Sequence, residues 1–358
     1  MLRVAILADD LTGALDSAEP FARCGASVTV ATSLEAARAK ALDAYEVVAL
    51  NVDSRQLQPE AAARAFAEAW ACIEPWRPDC LFKKVDSRMK GNVVAELSAI
   101  IGMAGRTGAI IAPAIPAIGR LVSGGAITGF GVDQPVAISD LPGWREEWSV
   151  PDCGDEAAMA AIAEHVIAQR SSRIAVGASG LAEAMAAALR AKTAAGTADP
   201  APRVAGTPRI LMAIGSRDPI TLEQIAVLQG SNMLCSTITG EEAPSPGLAS
   251  ADLILLLPPP AEQAPGTVAE GLAALALALA DQEGISTILL SGGDTAAAFV
   301  RRAAIELLTP LGLVAQGMPV SRGESVHGEF VLITKSGGFG SRGALIDAAR
   351  QWRRQFQC

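Results

Sequence analysis

Leu2-Arg3-Val4-Ala5-Ile6-Leu7-Ala8-Asp9-Asp10-Leu11-Thr12-Gly13-Ala14-Leu15-Asp16-Ser17 carries an apolar strand straight into two adjacent carboxylates and the start of a helix. A continuous apolar run of this length predicts a strand buried on both faces, and a strand that hands over directly to a helix is the repeating unit of a parallel α/β sheet. In open sheets of that kind ligands bind beyond the carboxyl ends of the strands, which is where Asp9 and Asp10 fall. Adjacent acids repel and raise each other's pKa, and one polar residue would end the strand equally well. The doublet therefore points to work on a cation, a proton or a hydroxyl. Asp10 and Thr12 are also good helix N-caps, so a purely structural role stays open for one of them.

The same alternation continues outward. Apolar runs predict strands at Val4 to Ala8, Val28 to Ala31, Val47 to Asn51, Leu81 to Lys84, Ala109 to Ala112 and Ile174 to Val176. Helical periodicity covers Thr12 to Arg23, Pro59 to Ala71, Val93 to Ile101, Ala157 to Gln169 and Leu181 to Ala191. Pro20 lies inside the first helix, where it lacks an amide donor and clashes with the preceding turn, so a kink or an early end is expected there. From Lys192 to Pro208 the periodicity stops in an Ala, Thr, Gly and Pro-rich stretch that reads as a linker. The pattern then restarts, with strands at Ile210 to Ile214, Leu253 to Leu257, Thr287 to Leu290 and Phe330 to Thr334, and helices such as Ile220 to Leu228 and Val268 to Ala280. The reading is two α/β domains, 1–195 and 209–358, each a largely parallel sheet flanked by helices.

Composition narrows the function. A chain of 358 residues is long enough for two cores, and with half its residues hydrophobic but only 4% aromatic it suits close-packed layers rather than a base-stacking surface. A net charge of -9 gains nothing from counterion release, so nucleic acid is excluded and a small-molecule partner favoured. Cys24, Cys72, Cys80, Cys153, Cys235 and Cys358 form no CxxC pair and are expected to be reduced. Asp9 and Asp10 cut the first apolar run too short for a secretion signal, and Leu272 to Ala280 is too short to span a bilayer. A cytoplasmic protein with no membrane partner is expected.

Four segments in the first half, the Asp9-Asp10 turn being the first, and three in the second follow strand ends and could carry chemistry. Asn51-Val52-Asp53-Ser54-Arg55 follows the third strand, and Lys83-Lys84-Val85-Asp86-Ser87-Arg88-Met89-Lys90-Gly91-Asn92 ends the fourth. The latter sets four cations in eight residues, which suits capture of a small carboxylate or phosphate; strand alternation turns one of Lys83 and Lys84 inward. Pro113 to Arg120 adds a rigid turn and an arginine. In the second half Gly215-Ser216, Ser291-Gly292-Gly293-Asp294-Thr295 and Lys335-Ser336-Gly337-Gly338-Phe339-Gly340-Ser341 follow strands with small residues and free amides, a setting for phosphate. None matches GxxxxGK[ST] or GxGxxG in context. The two histidines, His165 and His327, lack ligand spacing for zinc, and no GxSxG elbow is present.

Together these segments resemble the four-carbon acid sugar kinase family, which includes threonate, erythronate and 3-oxo-tetronate kinases. The resemblance runs over nearly the whole chain, through Ala8 to Ala14, Lys83 to Ser87 with Gly91-Asn92, Pro113 to Pro116 with Gly119-Arg120, Gly215-Ser216, Ser291 to Thr295 and Lys335 to Gly340. It implies a sugar-acid-binding N-terminal domain and an ATP-binding C-terminal domain, with an active-site cleft between them and transfer of phosphate from Mg-ATP.

Carried over by motif, the catalytic carboxylate would be Asp9 or Asp10, orienting or deprotonating the acceptor hydroxyl. The sugar acid would be held by Asp9, Arg55, Lys84, Val85, Asp86, Ser87 and Arg120, with Arg55 and Lys84 on its carboxylate. ATP would lie against Ser216, Gly292, Gly293, Asp294, Thr295, Gly337, Gly338, Phe339 and Gly340. No dedicated metal ligand set is implied, and the oligomeric state is left open, a homodimer included.

Relatives usually read Thr-Leu-Arg where this chain has Arg88-Met89-Lys90, carry Phe and Asn at Ile115 and Ile118, and are longer after Arg120. A non-catalytic sensor of sugar acid and nucleotide is the competing reading. A dinucleotide-dependent dehydrogenase would need GxGxxG where Asp9 to Gly13 stands.

Overall fold

The structure, a computed structural model, describes residues 2–192, 206–239, 248, 251–259 and 263–356. The chain divides into two compact units, Met1–Pro200 and Ala201–Cys358. The linker expected from Lys192 to Pro208 lies mainly outside the described residues, as does the domain limit at residue 195.

The first unit contains β1 (Val4–Ala8), α1 (Leu11–Arg23), β2 (Val28–Ala31), α2 (Leu34–Ala39), β3 (Val47–Asn51), α3 (Pro59–Ile73), β4 (Cys80–Lys84), α4 (Val93–Ile101) and β5 (Gly108–Ala112). It continues with β6 (Arg120–Ser123), β7 (Ala126–Gly129), β8 (Val136–Ala137), α5 (Glu156–Ala168), β9 (Arg173–Gly177) and α6 (Ser179–Lys192). Six strands form a parallel sheet in the order β2-β3-β1-β4-β9-β5. Every residue of β1 is fully buried, as a strand covered on both faces by helices must be.

The register matters most for function. Ala8 lies opposite Asn51 on one side and Lys84 on the other; Lys84 lies opposite Gly177, and Gly177 opposite Ala112. Five strands thus end level, and the residues that follow them emerge along one edge. Helices α1, α5 and α6 pack together, and so do α2, α3 and α4, giving a layer on each face.

Two expectations need correction here. Helix α1 does not end at Pro20 but runs on to Arg23. Pro20 falls in the last turn, where its missing amide removes a single rung, and its carbonyl still accepts from Cys24 N at 3.0 Å. The segment after β5, read only as a turn and an arginine, forms a three-stranded antiparallel sheet β6-β7-β8. Its first hairpin closes through Gly124 and Gly125, both at positive φ (59° and 73°), the backbone a two-residue hairpin turn requires.

The second unit contains β10 (Ile210–Ile214), α7 (Pro219–Gln229), β11 (Cys235–Thr239), β12 (Leu253–Leu257), α8 (Pro265–Glu283), β13 (Thr287–Ser291) and α9 (Gly293–Arg302). It ends with β14 (Leu307–Ala315), β15 (Met318–Ser325), β16 (Gly328–Lys335) and α10 (Ala344–Arg354). Its strand order is β11-β12-β10-β13-β16-β15-β14. The pairs from β11 to β16 are parallel, whereas β15 joins β16 and β14 antiparallel. The parallel part follows the expectation; β11, β14 and β15 were not anticipated. Trp352 of α10 is fully buried with Met212, Leu255, Val331 and Leu345, and its Nε1 donates to Thr207 O at 2.9 Å.

Cys24, Cys72, Cys80, Cys153 and Cys235 are free thiols; Cys358 lies outside the described residues. No helix among the described residues is long and apolar enough to cross a membrane.

Candidate functional site

The acid doublet is held by one guanidinium. Arg55 donates from Nε to Asp9 Oδ2 and from Nη2 to Asp9 Oδ1, both at 2.8 Å, and from Nη1 to Asp10 Oδ2 at 2.5 Å. Such a planar fork cancels the repulsion that made the doublet conspicuous. Burial pushes Asp9 upward, but the Arg55 charge and hydrogen bonds, with Lys83 and Lys84 nearby, outweigh it and hold its carboxyl below the usual range. Burial works against the charge on Arg55, yet Asp10 and Asp9 keep the guanidinium firmly protonated.

The two acids do different work. Asp10 is the N-cap of α1: its Oδ1 accepts from Gly13 N at 2.7 Å and its Oδ2 from Thr12 Oγ1 at 3.0 Å. Asp9 makes no cap and spends both oxygens on Arg55. The resemblance implied that Arg55 holds a substrate carboxylate; three of its nitrogens are instead given to Asp9 and Asp10.

A buried network sets Arg55 in place. Ser54 N donates to Asp9 O at 3.0 Å, and Ser54 Oγ donates to Glu96 Oε1 at 2.5 Å. Glu96 Oε2 takes the Lys83 ammonium at 2.6 Å, with both side chains fully buried, and Lys83 sits 4.4 Å over the Phe66 ring. Lys83 therefore points into the α3 and α4 layer. Lys84, one residue on, turns to the α1 side, as strand alternation demands. A Cβ on Gly13 would come 2.9 Å from Lys84 Nζ and 2.7 Å from Asp10 Oδ1, so the absence of a side chain there lets the ammonium reach the strand edge.

The loop after β4 closes over the same edge. Gly91, at φ 93°, would place a Cβ 3.2 Å from Asp9 Oδ2, and Asn92 Nδ2 donates to Ser54 O and Leu57 O at 3.3 and 2.8 Å. Asp53 and Met89 are non-glycine residues in the left-handed region (φ 55° and 57°), a costly conformation on the two loops that flank the ion pair. Asp86 Oδ1 accepts from Arg88 N at 2.8 Å. Ser87 Oγ accepts from Arg120 Nη1 at 2.6 Å, and Arg120, itself buried, donates from Nε to Phe130 O at 2.9 Å. Val85 is fully buried and contributes backbone only, its amide donating to Gly177 O at 3.0 Å.

Sequence reasoning gave no role to Ser54, Glu96, Asp16 or Ser179. Asp16 of α1 is half-buried and accepts a hydrogen bond from the Ser179 hydroxyl at the start of α6. Burial raises its carboxyl above the usual range, although Lys84 and Ser179 pull it down. Its signal was helical spacing: Asp16 stands four residues after Thr12 and three after Gly13, on the face that meets Lys84.

In the second unit the three glycine loops converge. Ile214 lies opposite Ser291, and Ser291 opposite Lys335, so β10, β13 and β16 also end level. Ser216 N donates to Ser291 O at 3.2 Å and Gly292 N to Lys335 O at 3.1 Å. Gly292, at φ 108°, caps α9 without a side-chain bond, so no cap side chain covers the N-terminus of that helix, the end that favours an anion. A Cβ on Gly337 would sit 3.1 Å from Asp218 Cβ.

The loop after β16 is fixed from below. Thr221 Oγ1 donates to Gly337 O at 2.8 Å, and Gln224 Nε2 to Phe339 O and Ser341 O at 3.0 and 2.8 Å. The Phe339 ring lies against Gly317, and Gly338 is buried while Gly340 takes φ 90°. Lys335 is fully buried and donates to Thr221 Oγ1, Ser336 O and Gly337 O at 3.1, 3.1 and 3.2 Å. Desolvation lowers its pKa to about 8, against a smaller upward pull from Asp218.

Among the described residues, no group of three or more His, Cys, Asp or Glu is placed to hold a metal ion. A cavity of about 320 Å³ lies in the first unit at the opposite ends of its strands, lined by Val4, Phe21, Val47, Ile167 and Ala186, and contains none of the residues above.

Comparison with known proteins agrees with this division. Residues 4–141 match a family model described as a sugar-binding N-terminal domain, and residues 259–345 one described as a nucleotide-binding C-terminal domain. The chain is 30% identical to a D-threonate kinase of Bordetella bronchiseptica over 98% of its own length and 97% of that protein's. It is 45% identical to a D-threonate kinase of Cupriavidus necator over 143 residues, 40% of this chain but only 32% of that relative. Among solved structures, Haemophilus influenzae protein HI1011 has the same fold, with a TM-score of 0.67 at 18% identity, covering 97% of this chain and 100% of that one.

Proposed function

Since the chain belongs to the four-carbon acid sugar kinase family, we propose that it transfers the γ-phosphoryl group of ATP to a hydroxyl of a small sugar acid. A four-carbon acid such as threonate, erythronate or 3-oxo-tetronate is the expected acceptor. The observation that carries this reading is the edge of the first sheet. There the Lys84 ammonium stands beside an aspartate pair held in place by Arg55. One acid sugar needs both: a cation for its carboxylate and carboxylates for its hydroxyls.

Lys84 takes the carboxylate as a point charge, while Asp9, kept ionised by Arg55, accepts from hydroxyls and fixes their direction. Asp86 and Ser87, with the Val85 backbone and buried Arg120 behind Ser87, shape the adjoining wall. In the second unit the N-terminus of α9 at Gly292 to Thr295 receives phosphate oxygens, and Ser216 with the Gly337 to Gly340 turn lines the remainder of the nucleotide. A magnesium ion carried by the nucleotide itself would supply further neutralisation of phosphate charge. Little covalent work is left for the protein, whose task is alignment and charge neutralisation.

ADP formation with Mg-ATP and a panel of tetronic acids and their 3-keto forms tests the reading. At least one acid should release ADP well above the acid-free rate and raise the melting temperature further when nucleotide is present. Stabilisation by acid and nucleotide with no ADP from any acid would make the protein a sensor instead.

A further inference from the structure

We propose that Asp16, rather than either member of the acid doublet, is the general base that takes the proton from the acceptor hydroxyl. The inference rests on the phosphoryl-transfer reading and deepens it. Its first ground is occupancy. Both oxygens of Asp9 accept from Arg55, and both oxygens of Asp10 are used, Oδ1 by Gly13 N and Oδ2 by Thr12 and Arg55. Each can still accept a hydrogen bond, but taking up a proton would weaken its charged hydrogen bonds to Arg55.

The second ground is position. Asp16 follows Gly13 by three residues and Thr12 by four, which sets it on the side of α1 that Gly13 opens to Lys84. The residue is half-buried, whereas Asp9 and Asp10 are buried almost completely. A substrate carboxylate on Lys84 therefore brings the rest of a short chain acid beside Asp16. The Ser179 hydroxyl holds the carboxylate in one orientation.

The third ground is basicity. Asp9 is held low by Arg55 and is a poor proton acceptor, whereas burial raises Asp16. The charged groups facing Asp16 are Lys84 from β4, Asp10 and Glu19 from α1 and Glu183 from α6; Glu19 is itself pushed up to about 6 by burial. In the step, the hydroxyl proton passes to an Asp16 oxygen as the hydroxyl oxygen bonds to the γ-phosphorus. The bond from that phosphorus to the β-phosphate oxygen breaks, and its electron pair leaves with the nucleoside diphosphate.

The test is kcat and KM of the full chain, wild type and variants, from about pH 5 to about pH 9 with the acid that wild type turns over. Asp16→Asn should lower kcat by about 100-fold to 10,000-fold with nucleotide KM unchanged, and Asp16→Glu should recover part of it. Ser179→Ala removes a hydrogen bond to the ionised form, so the acidic limb of its pH–rate profile should move to higher pH. A wild-type kcat in Asp16→Asn would overturn the assignment. If that variant does not fold, an acidic limb unmoved in Ser179→Ala would overturn it. Wild type inactive with every acid would instead overturn the kinase reading beneath it.

Discussion

Arg55 grips Asp9 through two parallel hydrogen bonds of 2.8 Å, Nε to Oδ2 and Nη2 to Oδ1, across 46 residues of chain. Its third bond reaches Asp10, so one side chain ties the end of β1 to the cap of α1. The pair is mostly buried, and removal of one partner leaves an uncompensated charge.

Arg55→Lys should behave as a loss rather than a conservative change, because an ammonium cannot satisfy both Asp9 oxygens and Asp10 at once. The expected destabilisation is about 3 kcal/mol, read from urea unfolding. It should be largest near neutral pH. Asp9 has a folded pKa below its unfolded value, so its contribution is complete above about pH 4 and fades as pH falls through the folded pKa. A variant as stable as wild type at neutral pH would refute this account of the doublet.

Gly13→Ala places a methyl group where Lys84 Nζ and the Asp10 cap oxygen now stand, at 2.9 and 2.7 Å. Helix propensity favours alanine by about 1 kcal/mol, which offsets part of the clash. Overall stability should change little, whereas the acceptor KM should rise by about tenfold to a hundredfold and the nucleotide KM stay constant. An unchanged acceptor KM would remove Lys84 from the carboxylate site.

Glu96→Gln strips the partner from a lysine that has no exposure at all. Unfolding free energy should drop by about 3 kcal/mol, with Ser54 and its loop loosened as a result. Combining it with Lys83→Met should restore much of the loss, since the unpaired charge goes with the lysine. Additive losses in the double variant would rule out the ion pair as the cause.

Lys335 supplies a pH signature for the second unit. Its folded pKa, lowered to about 8, lies below the ordinary 10.5, so between these values the unfolded chain binds more protons and stability rises with pH. Wild type should gain on the order of 3 kcal/mol relative to Lys335→Met across that interval, measured by denaturant titration at each pH. Parallel stability curves for the two proteins would show that burial does not depress this lysine.

Much of the framework could be read from residue order. Short Val, Ile, Leu and Ala runs mark β1, β3, β10 and β13 because strands covered on both faces need apolar residues at every position. The hairpin strands escaped because β6 to β8 are only two to four residues long, and Pro310 and Gly312 interrupt β14 beside its register shifts. Asp9, Asp10 and Lys84 could be picked out since each touches a strand end. The partnership of Arg55 with the doublet could not, because no local pattern names which carboxylates a guanidinium will meet 45 residues away. Glu96 was within reach: a lysine alternating into a buried layer requires a counter-ion there.

The split between Lys83 and Lys84 makes β4 sensitive to parity. Each successive residue faces the other side of the sheet, so the identity of the ammonium offered at the edge depends on counting residues from Cys80 in steps of two. A single-residue deletion upstream in this strand would leave both lysines in the chain and yet exchange their assignments, sending the anchoring one toward α1 and the other beneath the sheet beside Phe66. Two identical side chains at adjacent positions are thus not interchangeable copies; the pleat alone tells them apart.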